Sequence, residues 1–134
     1  MDYKKSLEEF EKALKELQED NMNAPIIVEG EKDVEALKKL GVSGRIITVN
    51  SGITLIDFCD RIAQKYKNII ILTDWDRKGG YLCRTIIKNL EGRVSCNIYY
   101  RKIFAKYSTI RTVEGLPSWI ETIKGKNDKL IDKI

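Results

Sequence analysis

The chain has 134 residues and a formal net charge of +4, with 43% hydrophobic and 33% charged residues. This composition predicts a single soluble domain with a charged surface, large enough to bury a core without disulfides or metal staples. Because the sequence contains no histidine, it excludes Ser-His-Asp and Cys-His catalysis as well as histidine-based zinc sites.

The side chains left for chemistry are carboxylates, lysines, arginines and hydroxyls, which suit hard cations such as Mg²⁺ or Mn²⁺. Cys59, Cys83 and Cys96 lie in apolar contexts without a CxxC spacing, so we expect buried free thiols. The sequence has no apolar run near the roughly 20 residues of a membrane span, and no signal-peptide core. We therefore expect a cytoplasmic protein that does not contact membranes.

Residues 1–20 are predicted to form a helix with one apolar face. The residues of that face recur at spacings of four and three: Tyr3, Leu7, Phe10, Leu14 and Leu17. Two interpretations are open, because the face can pack on its own domain or form a short dimer seam. We expect a monomer, or a dimer through this N-terminal helix.

From residue 24 onward, short apolar strands alternate with amphipathic helices. Strands are predicted at residues 26–28, 45–49, 68–73 and 94–100, and a helix follows each of the first three. The helix at residues 53–66 is expected to turn five side chains inward: Ile56, Cys59, Ile62, Ala63 and Tyr66. This order predicts right-handed crossovers and a mainly parallel α/β sheet sandwiched by helices. The alternating pattern of the fourth strand places it near an edge.

The pattern after residue 100 is less regular. Residues 101–111 mix cationic and aromatic side chains, and residues 116–123 are predicted to form a short helix with Trp119 inward. The lysine-rich residues 125–134 are expected to be loosely ordered. The predicted organisation is one domain over residues 1–134, with an N-terminal helix at 1–22, a core at 24–100 and a C-terminal extension at 101–134.

Acidic residues follow two of the predicted strands. Asp74 and Asp76 come directly after the third strand, and Glu29 follows the first. In a parallel sheet these acids reach the same edge, where open sheets bind their ligands. A divalent cation would relieve the repulsion between the carboxylates, so we predict one or two Mg²⁺ sites, with Mn²⁺ as a substitute. The alternative is that Asp74 or Asp76 only caps the helix that follows.

Basic and small residues lie beside these acids. Five of them are candidates for binding phosphate or nucleic acid: Gly30, Lys32, Arg77, Lys78 and Gly79. The glycines are equally consistent with simple turns, and the cations with an ordinary solvated surface. Tyr81 is interpreted as a packing residue and not as a nucleophile.

Three segments resemble motifs of Toprim domains. Residues 26–37, IIVEGEKDVEAL, resemble the first motif of bacterial primases, and residues 49–54, VNSGIT, are similar to the turn after the second Toprim strand. Residues 71–80, ILTDWDRKGG, resemble the Asp-x-Asp motif in the form found in ribosomal-RNA maturation nucleases. The resemblance to Toprim domains covers residues 24–100, and the chain as a whole resembles a small stand-alone Toprim protein of an uncharacterised archaeal family.

The resemblance implies roles for individual residues. Glu29 would contribute to the metal site and act as the catalytic general acid or base, and Asp74 and Asp76 would be metal ligands. Asp33 would be an accessory acid that orients nearby groups. Residues 113–116, VEGL, are similar to an element that follows the core of the maturation nucleases, which makes Glu114 a second accessory candidate.

The predicted function is a Mg²⁺-dependent, nuclease-like hydrolase that acts on phosphodiester bonds of structured RNA or DNA. The chain lacks the tyrosine-bearing domain of topoisomerases and the zinc-binding and helical domains of primases, so strand transfer and primer synthesis are not expected. The alternative is a non-catalytic, metal-dependent module that binds nucleic acid or nucleotides, or a subunit of a larger assembly. A phosphorylation-receiver domain shares the architecture, but its acid pair would follow the first strand and not the third.

Overall fold

The computed structural model describes residues 2–132, with the side chains of residues 2–129. These residues form six helices and four strands, which alternate along the chain except that the last two elements are both helices. The elements are α1 (Tyr3–Asp20), β1 (Ile26–Val28), α2 (Glu31–Lys39), β2 (Ile46–Thr48), α3 (Leu55–Lys65), β3 (Asn68–Ile71), α4 (Arg77–Leu90), β4 (Ser95–Asn97), α5 (Tyr99–Tyr107) and α6 (Leu116–Asp132).

The four strands form one sheet in the order β2-β1-β3-β4. Every neighbouring pair is parallel, with Ile26 opposite both Ile46 and Ile70. The predicted parallel four-stranded α/β sheet is therefore confirmed, and β4 lies at an edge as its alternating pattern indicated.

The sheet separates two apolar cores because successive side chains of a strand point to opposite faces. Ile26, Val28, Ile70 and Leu72 face the core that contains residues of α1, α2, α5 and α6. Ile27, Ile69 and Ile71 face the core that contains residues of α3 and α4. Covered on both faces, β1 and β3 are apolar at consecutive positions.

The apolar face of α1 packs on the chain's own core. Phe10 and Leu17 are fully buried, and the Phe10 ring lies 4.7 Å from that of Phe104 and 5.2 Å from that of Trp119. Tyr3, Leu7 and Leu14 are partly buried against the same core. The structure therefore places the stripe against α5 and α6, in agreement with the first of the two interpretations.

The fourth strand is shorter than predicted. The apolar alternation predicts a strand through Tyr100, but β4 ends at Asn97 and α5 begins at Tyr99. The side-chain oxygen of Asn97 accepts a hydrogen bond from the Tyr99 amide at 2.9 Å, a local turn that ends the strand. Tyr100 is buried as a helical residue, and its hydroxyl donates to the Asp20 carboxylate.

The C-terminal extension is more ordered than predicted. Residues 125–132, expected to be loosely ordered, continue helix α6 to Asp132, while residues 133 and 134 lie outside the described part of the chain. Trp119 and Ile123 anchor α6 in the first core. The lysines contact α1: the ammonium of Lys124 lies 3.7 Å from the Glu11 carboxylate, and that of Lys126 lies over the Tyr3 ring.

The prediction for one residue of α3 is wrong. The apolar spacing predicts that Ile56 points inward, but its side chain is 63% exposed, whereas Phe58, which the prediction omits, is buried. The buried face of α3 consists of Phe58, Cys59 and Ile62, and Ile56 lies about 110° around the helix from its centre.

The three cysteines are free, as predicted, with Cys59 and Cys83 buried and Cys96 half-buried. Burial raises the pKa of each thiol above its ordinary value. Within residues 2–132 we find no helix that combines the length and apolarity required to cross a membrane.

Candidate metal and nucleic-acid site

Two acids from neighbouring strands meet at one edge of the sheet. Glu29 follows β1, and Asp74 lies three residues beyond β3, which pairs in parallel with β1. The Glu29 carboxylate oxygen Oε2 accepts a hydrogen bond from the backbone amide of Asp74 at 2.9 Å. This bond joins residues 45 positions apart and holds the Glu29 side chain beside the Asp74 segment.

The Asp74 carboxyl is half-buried among other acids. Burial raises its pKa to about 7; the hydrogen bond from Val113 opposes this shift, and Glu29, Asp33 and Asp76 add to it. The Val113 amide donates to Asp74 Oδ1 at 2.8 Å. Asp74 therefore lies in a region of net negative charge. A cation bound there would make the charge around the Asp74 carboxyl positive.

Asp76 caps helix α4. Its oxygen Oδ1 accepts a hydrogen bond from the Gly79 amide at 2.7 Å. The alternative that one of the two aspartates caps the following helix is therefore correct for Asp76. Asp74 does not cap the helix, since its Oδ1 accepts from Val113 in the loop before α6. Helix capping uses one oxygen of a carboxylate, and Asp76 Oδ2 accepts no hydrogen bond within residues 2–129.

The donor set fits a hard cation, although no complete ligand cage is assembled. Within the described residues, no three acidic or cysteine side chains are arranged to hold one ion. Glu29, Asp74 and Asp76 each direct one oxygen to a backbone amide, which leaves one oxygen of each for another partner. Magnesium usually takes one or two protein carboxylates and completes its shell with water and phosphate oxygens. The chemistry of this donor set therefore fits Mg²⁺ held by one or two of the three carboxylates.

Arg101 of α5 holds the segment that carries Asp74. Its guanidinium donates from Nε to the Thr73 carbonyl at 3.1 Å and from Nη2 to the Asp74 carbonyl at 2.7 Å. No pattern in the sequence indicates this role, because the contacts go to backbone atoms 27 and 28 positions away. Arg101 thereby places a positive charge beside the Asp74 backbone and fixes the segment from which Asp74 extends.

Gly79 presses against the same segment. A Cβ atom at Gly79 would overlap the carbonyl oxygen of Asp74 and lie 2.6 Å from its carbonyl carbon. The Thr73 hydroxyl donates to the Gly79 carbonyl at 2.8 Å, and the Gly79 amide donates to Asp76. Because this amide already has a partner, the structure gives Gly79 a packing role in the site.

The other candidates for phosphate binding surround the acids at the surface. Lys32, Arg77 and Lys78 are exposed, and Gly30 is half-buried at the N-cap of α2. The interpretation of Tyr81 as a packing residue is wrong, since its side chain is 68% exposed. It projects from the second turn of α4.

Comparison with known proteins supports the assignment of the sequence motifs to a Toprim domain. The family model described as "Toprim domain" matches residues 24–106 of the chain. The chain belongs to the Toprim family. It is similar to the UPF0292 protein of Thermoplasma volcanium, with 43% identity over 75% of this chain and 86% of that protein. It is also similar to the UPF0292 protein of Methanocaldococcus jannaschii, with 36% identity over 84% and 93% of the two chains.

A solved structure shows the same fold. A putative protein from Aquifex aeolicus superposes with a TM-score of 0.68 and 26% sequence identity. The alignment covers 78% of this chain and 94% of that protein. Together with the Toprim match and the UPF0292 relatives, this fold confirms the predicted resemblance to Toprim proteins.

The two accessory candidates, Asp33 and Glu114, belong to segments that flank Asp74, and the Glu114 charge is among those that raise the Asp33 pKa. Asp33 is buried, and its Oδ2 accepts from the Gly30 amide at 3.1 Å, so it braces the turn that follows Glu29. Burial raises the Asp33 pKa, the Gly30 bond opposes the rise, and Glu29 adds to it. Glu114 is exposed and follows Val113, the residue that binds Asp74.

The segment around residues 108–115 supports the Toprim site from the C-terminal side. The Trp75 backbone amide donates to the Arg111 carbonyl at 3.0 Å, and the Trp75 indole donates to the Ile110 carbonyl at 2.6 Å. With the Val113 bond to Asp74, these contacts fix the short loop that carries Asp74 and Asp76. This loop is therefore held from both α5 and the segment before α6.

The raised pKa of Asp74 predicts an effect of pH on stability. The Asp74 pKa is about 7 in the folded chain, against an ordinary value of 3.8, so Asp74 contributes stability that is present below pH 4 and lost as the pH rises to 7. An asparagine at this position would keep the acceptor for the Val113 amide without the charge. In metal-free buffer at pH 8, we expect Asp74→Asn to raise the melting temperature by roughly 3–6 °C, a value reduced for solvent screening.

Thermal unfolding at pH 4, 6 and 8 in the presence of a chelator measures this effect. The difference between variant and wild type should shrink toward zero at pH 4, where Asp74 is neutral. The exposed residue Asp57 provides the control, since Asp57→Asn should show no such trend. A difference that is the same at all three pH values would contradict the assignment.

Proposed function

We propose that this Toprim protein binds Mg²⁺ through Glu29, Asp74 and Asp76 and hydrolyses phosphodiester bonds in structured RNA or DNA. The observation that carries the proposal is the contact between the Glu29 carboxylate and the Asp74 amide. It brings acids from two strands to one edge, where burial and neighbouring carboxylates raise the pKa of Asp74 to about 7. Membership of the Toprim family supports the same conclusion.

Each residue has a distinct part in the proposed chemistry. Asp74 and Asp76 would hold the metal through the oxygens that are not bonded to Val113 and Gly79. Bound Mg²⁺ would supply a charge that stabilises the pentacoordinate phosphate and lowers the pKa of water. Glu29 Oε1, the oxygen that the Asp74 amide does not bond, would accept a proton from the water that attacks phosphorus. The bond from phosphorus to the leaving oxygen would then break, and this oxygen would take up a proton from solvent.

Basic residues near the acids would bind the substrate backbone. Lys32 lies in the first turn of α2, and Arg77 and Lys78 in the first turn of α4. All three are exposed, so their charges are available to phosphates that approach the acid edge. Gly30, half-buried at the N-cap of α2, would allow close approach on that side.

The roles of the accessory acids follow from their positions. Asp33 would fix the Glu29–Gly30 turn through the Gly30 amide and so orient the general base. Glu114, exposed beside Val113, would reach the substrate or a second ion from the segment that binds Asp74.

Cleavage of labelled RNA and DNA hairpins in Mg²⁺ tests the hydrolase. We expect wild-type turnover that a chelator stops, and a loss of about 10²–10⁴-fold in Glu29→Gln, because the amide cannot act as a general base. The glutamine oxygen can still accept from the Asp74 amide, so the fold should be retained.

The control is Glu31→Gln, an equivalent change at an exposed acid two residues away. It should leave the rate within about twofold. Wild-type protein that cleaves none of the substrates, or equal rates for wild type and Glu29→Gln, would contradict the proposal. Parallel purification of the variants controls for a contaminating nuclease.

The alternative function is a metal-dependent module that binds nucleic acid or nucleotides without cleaving them. The observation in its favour is that no three acidic side chains within residues 2–129 are arranged around one ion. A module of this kind should bind the same hairpins in Mg²⁺ with no turnover. It should keep its affinity in Glu29→Gln.

A further inference from the structure

Two arginines converge beside Gly80. The position of a Cβ atom at Gly80 would lie 3.3 Å from Arg84 Nη1 and 3.5 Å from Arg101 Nη2. The two guanidinium groups therefore approach within about 7 Å of each other. Like charges at this separation repel, and an anion bound between them would remove the repulsion.

Neither arginine is neutralised by an acid. Among the described side chains, the ion pairs are those of Arg93 with Asp60 and of Lys124 with Glu11. Arg101 uses Nε and Nη2 to bind backbone carbonyls, so its orientation is fixed. The exposed Arg84 makes no ion pair with a described acid, so its guanidinium is available to a ligand. Two guanidinium groups side by side suit a phosphate group, which accepts from several donors at once.

The pair is part of a longer stripe along α4. Lys78, Tyr81, Arg84 and Lys88 recur at spacings of three and four, and all are exposed. Tyr81, Arg84 and Lys88 line one groove together with Thr85 and Asn89. The stripe begins two residues after Asp76 and extends about 15 Å along the helix. It thus leads directly away from the acid edge.

Tyr81 distinguishes this stripe from an ordinary cationic surface. Its ring is 68% exposed, although burying an aromatic side chain is favourable. An exposed ring between cations offers a face for stacking an unpaired base. Bases inside a duplex are already stacked on each other and cannot use such a ring.

We propose that the α4 stripe binds the single-stranded part of a nucleic acid whose phosphodiester lies at the acid edge. Arg84 and Arg101 contact a backbone phosphate, Tyr81 stacks on a base, and Lys78 and Lys88 contact the flanking phosphates. The proposal rests on the function proposed above and adds that the strand leaving the site is unpaired. RNA and DNA share the chemistry that the stripe would recognise.

A second basic cavity provides the control surface. Arg45, Arg61 and Lys65 line a cavity beside β2 and α3, on a different part of the chain from α4. Arg61 is exposed, as Arg84 is. Arg61→Ala therefore removes an equivalent charge without touching the α4 stripe.

Fluorescence anisotropy with labelled oligonucleotides of about 12 nucleotides tests the proposal. Single-stranded RNA, single-stranded DNA and a blunt duplex are compared in Mg²⁺, with every protein carrying Glu29→Gln to prevent cleavage. We expect tighter binding of a single strand than of the duplex, and the RNA and DNA probes show which sugar is preferred.

The variants separate stacking from charge. Tyr81→Ala should weaken single-strand binding by about 5- to 100-fold without changing its salt dependence, and Tyr81→Phe should restore it. Arg84→Ala should reduce the slope of log affinity against log salt by about 0.7, the value for one phosphate contact on a single strand. Arg61→Ala should leave both affinity and slope unchanged.

Failure of this inference can be distinguished from failure of the hydrolase. Equal affinities of Tyr81→Ala, Arg84→Ala and Arg61→Ala, or preference for the duplex, would overturn the inference even if wild-type protein cleaves hairpins. The expected losses in Tyr81→Ala and Arg84→Ala would support it even if wild-type protein cleaves nothing. Absence of binding to all three probes would overturn it.

Discussion

Replacement of Gly79 by alanine is expected to destabilise the fold by at least about 3 kcal/mol, at the upper end of the range for overpacking. The added Cβ would overlap the Asp74 carbonyl oxygen, and the atoms it meets are backbone, which moves less readily than a side chain. To make room, the first turn of α4 must move away from Thr73 and Asp74. Chemical denaturation followed by circular dichroism measures the loss.

Gly125→Ala is the matched control for this change. Gly125 also lies inside a helix, but apart from the neighbouring backbone of that helix no described atom lies within 4 Å of the position that its Cβ would occupy. Alanine there should stabilise the protein by up to about 1 kcal/mol, because glycine is the poorer helix former. Equal stabilities of Gly79→Ala and wild type would show that the α4 turn does not pack on Asp74 as described.

The double change Asp74→Asn/Asp76→Asn is expected to abolish stabilisation by Mg²⁺. Asparagine oxygens can accept the bonds from Val113 and Gly79, and asparagine is a good N-cap residue, so the fold should persist. What is lost is the negative charge that binds the ion. For wild type at about 100 times Kd, bound Mg²⁺ should add about 2.7 kcal/mol, which corresponds to a rise of several degrees in melting temperature.

Thermal shifts measured over a series of Mg²⁺ concentrations test this loss. Asp57→Asn, a change at an exposed acid of α3, should keep the full shift. A shift in the double variant as large as that in wild type would mean that the ion binds elsewhere. The same series with Mn²⁺ should behave in the same way, since both are hard cations that prefer oxygen ligands.

The sheet and its two-sided burial could be predicted because the relevant signals are local. The unbroken apolar runs of β1 and β3 identify buried parallel strands, and parallel pairing then places Glu29 and Asp74 at one edge. The predicted end of a strand is wrong where the same local pattern fits both a strand and a helix. The alternation up to Tyr100 fits a strand, but the side chain of Asn97 ends the strand early.

The supporting contacts of the site were not predictable from the pattern. Arg101 and Val113 contact Asp74 from 27 and 39 positions away, and one partner in each contact is a backbone atom. Such contacts leave no periodicity or spacing in the sequence. The exposure of Tyr81 is not predictable for a related reason, since an aromatic residue beside apolar positions usually packs, and only the orientation of α4 shows that this one does not.

Isothermal titration of Mg²⁺ into the wild-type protein, with and without a single-stranded oligonucleotide, tests the central claim most directly. Wild-type protein should show a saturable heat of Mg²⁺ binding, and its affinity for Mg²⁺ should increase when oligonucleotide phosphates complete the metal shell. The binding heat should be absent in Asp74→Asn/Asp76→Asn. Wild-type protein that binds no Mg²⁺ either alone or with the oligonucleotide would contradict the claim, and the acids at this edge would then serve only the hydrogen bonds that they make to the backbone.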